Sequence, residues 1–600
     1  MAVKTIKINQ IFQGQSAAQY FGVEGTYNTS IAIDPDFPIL STDVRTSGFP
    51  VPVGYAEFSG TNVNTPVIKI ITNPKNTLTY AVLNNGRLIS YNSSLASETL
   101  IASTFTVTIA TPAVFTLTAH GLAANNVVYF STSGALPTGL TEGTAYYVIS
   151  TGLTANAFEV STTEGGAAVN TSGSQSGTHS ITMACKGAEY YNNYIYLFTG
   201  TNVSRYGPLN NSPALTHGFW VTTLSLTALT NTTYPALRGV TIPNHFAHVH
   251  GDNSMYFCDF INGQGLIHRI NTKKVTDEGD TNGTTVVSAY SVLDLPFGFY
   301  PTAIESFGTN LVVLGIYSTD ATINQGKSAF VIWDPTNTTS WSTGPVFLPD
   351  PLATAVLNIN GLIHIWSGNG QNGVRVSRYL GSGESVKDLA YQEEGLPPLA
   401  GAVDALGNRV VWGGFTTNPA IGSAVFAYGS KDSRIPAGLH NIAKGSGSGT
   451  NPIVTALKFV QQSSNVTPKL IIASTDGSGQ QIDQYSTTAT LASNIRFMFN
   501  LGQKGQITKI KIPLAGAVAA NTTITPTLYF DDLSTNKVLT VINNTNYPSK
   551  RSVIYKGTEL KDTVFYNNFL LEITYTGTNP LPVALPITIE IETLPDEATT

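Results

Sequence analysis

A pair of apolar strands recurs seven times along this chain, and that recurrence limits its fold more than any other feature. In each copy the first strand is followed by a short connection, and the second ends in Tyr, Trp or Ile. The copies are Leu78–Leu83 with Arg87–Tyr91, Tyr194–Phe198 with Asn202–Tyr206, Met255–Phe260 with Leu266–Ile270, and Leu311–Leu314 with Ala329–Trp333. Leu362–Trp366 with Val374–Tyr379, Arg409–Trp412 with Ala424–Tyr428, and Leu470–Ala473 with Gln481–Tyr485 complete the set. After the first interval the closing residues lie 46 (Trp333 to Tyr379) to 64 (Tyr206 to Ile270) residues apart, near the length of a propeller blade. One strand pair cannot bury both of its faces. Four-stranded blades packed radially can, and closing the ring leaves only short edges. Runs such as Leu470–Ala473, apolar throughout, mark strands covered on both sides. The pattern therefore predicts an all-β chain built on a β-propeller of about seven blades; unrelated hairpins in sandwiches are the alternative.

The first interval, Tyr91 to Tyr206, is too long for one blade. It contains a self-contained β module at 104–182, with strands at Phe105–Ile109, Val114–Thr118, Val127–Phe130, Gly143–Ile149 and Ala157–Val160, and a corner at Ala119–Leu122 that carries His120. We expect a small inserted β-barrel, with His120 a hydrogen-bonding turn residue. Beyond 490, Ile510 and Ile512 alternate with Lys509 and Lys511, while Ile587, Ile589 and Ile591 alternate with Thr588, Glu590 and Glu592. Such alternation marks sheets with one buried and one wet face and predicts a C-terminal β-sandwich. The expected organisation is an extended arm at 1–50, a first blade at 51–103, the barrel at 104–182, the remaining blades at 183–490 and the sandwich at 491–600. The arm opens on a strand and is expected to close the ring or to reach a neighbour.

Composition narrows the function. Only 11% of the 600 residues are charged, the formal charge is −6, and no basic block is present, which argues against tight wrapping of nucleic acid. Two cysteines, Cys185 and Cys258, allow at most one disulfide. The opening residues have no apolar leader and no stretch has the length and apolarity of a membrane span, so the chain is expected to be made in a cytoplasm.

Chemistry-bearing motifs are few. His248-Val-His-Gly-Asp252 matches the H-x-H-x-D core of binuclear metal sites, and His248 and His250 would share one strand face. They and Asp252 are weak metal candidates, because Asn253 follows and no further ligand set stands out. Propeller glycosidases need paired carboxylates in the central funnel. Asp259, Asp334, Asp404 and Asp483 lie in or beside repeat strands, yet share no recurrent setting. No catalytic residue and no cofactor are expected.

The insert at 104–182 resembles the small β-barrel modules, with an Ala-His-Gly-Leu corner and a later Tyr-Tyr-Val strand, found inside many structural proteins of tailed bacteriophages. Combined with the low charge and Asn/Thr-rich strands, the arm, propeller and sandwich resemble the propeller-containing tail nozzle or hub proteins of short-tailed phages. That resemblance implies a non-enzymatic virion protein, assembled in the host cytoplasm and located in the tail. It implies a ring of copies, six-fold in that family, contacting portal, adaptor and fibre proteins and passing double-stranded DNA without reading its sequence. The alternatives are another virion component, such as a long-tail tip or capsid-associated protein, a carbohydrate-binding adhesin, or a secreted propeller enzyme.

Overall fold

The computed structural model describes residues 2–8, 14–15, 26–27, 29–31, 55–59 and most of 65–593. Its larger omissions are 32–54, 210–220, 226–246, 273–285, 318–325, 415–423, 430–438 and 462–467, and shorter gaps include 393–394, 445–452 and 476–479. Among the described residues the regular secondary structure is all strand, apart from two single-turn 3-10 helices.

Seven blades of four strands follow one another along the chain: six are four-stranded sheets, and the sixth blade is extended to six strands by two short strands of the arm. Their innermost strands are Val67–Thr72, Gly187–Tyr191, Ala247–Val249, Phe299–Phe307, Leu352–Ile359, Val403–Leu406 and Ile453–Val460, and these define blades one to seven in order. Each strand pair picked out in the sequence forms the second and third strands of a blade. These central strands are covered by neighbours on both faces, which is why their apolar runs are nearly unbroken. Apolar clusters fill the spaces between blades: Tyr196, Phe198, Met255 and Phe257 between two and three, and Trp366, Trp412 and Phe426 between five and six.

Ring closure corrects one boundary. Tyr55–Ser59, grouped by sequence with the first blade, is the outermost strand of the seventh, pairing with Gln480–Tyr485. A strand taken from before blade one and laid on blade seven ties the two ends of the ring together, so the propeller cannot open without breaking a sheet. The described parts of the arm pair elsewhere in the chain. Ala2–Ile8 runs antiparallel to Ile587–Thr593, Thr29–Ile31 pairs with residues 494–496, and Gly14–Gln15 adds to the outer strand of blade six. The arm thus fastens the C-terminal unit to the propeller's rim.

That unit is one hydrogen-bonded sheet folded into two layers. The 23-residue strand Leu491–Pro513 belongs to both: its first part pairs with Tyr566–Gly577, and its second with Ile587–Thr593 and Ser552–Lys556. Ile510, Ile512, Ile587, Ile589 and Ile591 are buried between the layers, while Lys509 bonds Glu590 across the wet face at 2.7 Å. Removing Ala2–Ile8 would leave Ile587–Thr593 as a bare edge with seven unpaired positions. We expect that truncation to cause self-association, measured by light scattering, and a peptide spanning residues 1–9 to reverse it.

A closed six-stranded barrel, from Ser103–Val107 to His179–Met183, is inserted between blades one and two. Its core of Phe105, Phe115, Phe130 and Phe158 is continuous with Tyr80, Val82 and Leu88 of blade one and Ile195 and Leu197 of blade two. His120 is buried at its corner: Nδ1 accepts the Leu122 N–H at 3.0 Å, Nε2 faces the Ala157 carbonyl at 3.3 Å, and the ring packs edge-on against Phe158.

β-Bulges recur in the innermost strands of blades one, four, five and seven, at Val67/Lys69, Pro301/Ala303, Ala353/Ala355 and Val454/Ala456. Two of the extra residues tie one blade to the next stretch of chain. Thr302 Oγ1 donates to the Ala353 carbonyl at 2.7 Å, and Thr354 Oγ1 donates to the Pro398 carbonyl at 2.6 Å, both buried. Thr302→Val should lower stability by about 1–2 kcal/mol, because it removes the donor and leaves a buried carbonyl behind. A thermal melt unchanged by this substitution would show that the link is idle.

Candidate functional site

The seven innermost strands converge on the ring axis, where they enclose a half-open cavity of about 270 Å³. Matched positions on these strands face it. From blade one to blade seven they are Lys69, Glu189, His248, Glu305, Leu357, Asp404 and Lys458. Their cross-strand partners, Val82, Tyr196, Tyr256, Val312, His364, Val411 and Ile471, all lie on the second strands, which confirms the equivalence. Six of the seven are polar or charged, in a molecule with little charge elsewhere. Around them the wall is apolar, with Ile68, Ile304, Val356 and Val403.

Neighbouring blades pair their polar groups. Lys69 Nζ forms an ion pair with Glu189 Oε2, joining blades one and two. His248 Nε2 lies 3.2 Å from Glu305 Oε1, joining three and four. Asp404 Oδ2 on blade six accepts the Phe459 N–H of blade seven at 2.6 Å. Burial is the main reason that the Glu305 carboxyl is pushed up to about 7; the nearby Glu189 charge adds to it, against the Ser306 N–H and Lys69. Burial likewise pulls the His248 imidazole down to about 4. Near neutrality His248 is uncharged and Glu305 titrates.

The tautomers follow from the hydrogen bonds. His250 Nε2 lies 3.1 Å from the Thr309 carbonyl, which can only accept, so this nitrogen carries the proton. His250 Nδ1 then accepts from Ser306 Oγ at 2.8 Å, and Ser306 Oγ in turn accepts from His248 Nε2–H at 2.8 Å. The outcome is a continuous chain from His248 through Ser306 and His250 to the turn at Thr309, with the Glu305 carboxyl 3.2 Å from the same His248 nitrogen. It is not a nucleophile triad, because serine and carboxylate meet the same nitrogen of His248.

The same bonds dispose of the H-x-H-x-D reading. Both nitrogens of His250 are engaged, and Asp252 turns back into its own hairpin, accepting the Ser254 N–H at 2.9 Å and the Tyr256 hydroxyl at 2.7 Å. Among the described residues no group of three or more His, Cys, Asp or Glu side chains is placed to hold a metal ion. Of the aspartates, Asp259 is buried against His268 at 3.2 Å, Asp334 caps an exposed turn through Thr336, and Asp483 is buried in blade seven. Only Asp404 reaches the cavity. Lys69, Glu189, Glu305 and Lys458 were missed because the repeat is recognised from its second and third strands, whereas the site is on the first. Their distance from the strand pair that follows varies from 5 (Glu189 to Tyr194) to 12 (Lys458 to Leu470) residues, so no fixed spacing marks them. Cys185 and Cys258 are both buried, lie in separate clusters and form no disulfide with each other.

Strand order, ring closure and the axial cavity define the class: a seven-bladed β-propeller carrying a barrel insertion and a two-layered C-terminal sheet. No family model matches the chain, and no curated protein is significantly similar to it. Among solved structures, it is similar to the Pan2 WD40 domain of Neurospora crassa, at 9% identity and a TM-score of 0.35, covering 72% of this chain and 95% of that one. The Cps50 (Swd1) β-propeller domain of Myceliophteria thermophila matches at 8% identity and a TM-score of 0.36, covering 71% and 99%. An exo-β-1,3-galactanase from Phanerochaete chrysosporium matches at 8% and 0.26, covering 60% and 99%.

Proposed function

We propose that this chain is a non-enzymatic structural protein of a tailed-phage virion, a tail nozzle or hub whose copies form a ring that holds and conducts DNA. The composite architecture carries this reading: a closed propeller with a barrel set between two blades and a terminal sandwich clasped by an N-terminal arm. Every accessory unit is bound into the ring by shared sheets or a continuous core, which suits a part that bears load. The polar groups at the axis are largely paired with one another, which suits a scaffold better than a reaction centre.

The propeller's own axis is not the conduit, since a cavity of about 270 Å³ is far narrower than a duplex. DNA would pass between copies, along the surfaces that a ring turns inward. A net charge of −6 favours slippage over adhesion to phosphate. Electron microscopy of the purified chain, alone and with portal and adaptor proteins, tests the proposal: closed rings with a duplex-wide opening are expected, and a strictly monomeric protein under all conditions overturns it. Retention of duplex DNA on the protein at physiological salt would count equally against a conduit. Binding on a glycan array without ring formation would favour the adhesin instead.

A further inference from the structure

Six polar side chains from six blades point into one axial cavity, and assembly of a ring does not require them to. We propose that this cavity is a binding site for a small, neutral, polyhydroxylated molecule, of the size of a single sugar ring. The volume, about 270 Å³, is enough for such a ligand.

The groups around the cavity alternate in character. Lys69 and Lys458 donate, Glu189 and Asp404 accept, and the Glu305–His248 pair does both. A hydroxyl both donates and accepts, so a ligand with several hydroxyls satisfies such a ring from any side. Charge selects further. Lys69 is neutralised by Glu189, the Asp404 and Lys458 charges on the cavity wall cancel in sum, and burial holds the other carboxyl largely uncharged below neutrality. An anion or a polyamine would meet no net opposite charge, and desolvating it would cost more than the cavity returns. The apolar wall of Ile68, Ile304, Val356 and Leu357 gives a ring's carbon face a place to rest.

Titration calorimetry and saturation-transfer NMR on the full chain test this with glucose, galactose and N-acetylglucosamine, set against serine, inorganic phosphate and putrescine. At least one sugar should bind, at pH 6 more tightly than at pH 8, and the three controls should not. Leu357→Trp, which fills the cavity from a half-buried position, should abolish binding, and Asp404→Asn should weaken it about tenfold, the loss of one charge-assisted hydrogen bond. Thermal melts of both variants check that they fold. No response to any sugar, tighter binding of phosphate or putrescine, or sugar binding retained by a folded Leu357→Trp protein would each overturn the proposal. None of these outcomes depends on whether the chain forms rings.

Discussion

Glu305→Gln should give the protein a pH dependence of stability that the native pair conceals. In the unfolded chain near pH 5.5 the histidine holds a proton and the glutamate does not. In the fold the order is reversed, since Glu305 sits at about 7 and His248 at about 4. Burial drives the exchange, because a neutral acid beside a neutral imidazole costs less in an apolar cavity than two separated charges. The signs follow from linkage. The raised carboxyl contributes stability that is full below its unfolded value of 4.5 and is lost as pH rises through about 7. The lowered imidazole contributes stability that is full above 6.5 and is lost as pH falls through about 4. Between 4.5 and 6.5 the two slopes cancel.

With glutamine at 305 the falling carboxyl slope is lost, so stability relative to the native protein should rise between pH 4.5 and 7, by on the order of 3 kcal/mol. His248→Gln should do the reverse, removing the rising imidazole slope, with a fall of similar size relative to the native protein from pH 4 to 6.5. Lys69, Glu189, Asp404 and Lys458 face the same cavity and are common to all three proteins, so differences between urea-unfolding profiles isolate the pair. Profiles that stay parallel to the native one would show that the pair does not exchange its proton on folding.

The second large effect is expected at Gly86, in the turn between the second and third strands of blade one. Its φ of +80° is open to glycine and costly for other residues. A Cβ there would also lie 1.7 Å from the Met183 carbonyl oxygen, on the last strand of the barrel. Next to it the Cys185 N–H donates to the Asn84 carbonyl at 2.7 Å, where the chain leaves the barrel for blade two. Gly86→Ala must therefore strain the turn and push the barrel off the blade. Backbone strain and overpacking, at about 1–3 kcal/mol each, together give a loss on the order of 4 kcal/mol. Calorimetry should show a lower melting temperature, and limited proteolysis should cut first near residues 92–102 and 184. Native-like melting with native resistance to protease would refute the docking.

The blades were legible because a strand covered on both faces must be apolar along its length, and seven such pairs are hard to hide in a chain with 11% charged residues. The barrel was legible because it interrupts the repeat, and the sandwich because a half-wet sheet alternates Ile with Lys, Thr or Glu. The axial site was not. Its residues are single polar positions on short inner strands, such as the three-residue Ala247–Val249, with no spacing to mark them. His248 stood out only as a weak metal candidate, and its partner is a glutamate from the next blade.

A sequence of this kind determines by itself what each strand must do locally: its pleat, its covered faces and its turns, all set by residues a few positions apart. Only the tertiary structure decides which ends meet. It puts Tyr55–Ser59 on the last blade and Ala2–Ile8 on a strand almost six hundred residues away. It also gathers Lys69, Glu189, His248, Glu305, Asp404 and Lys458 around one cavity. Those meetings depend on how the whole chain closes on itself, a condition that leaves no pattern in any one segment.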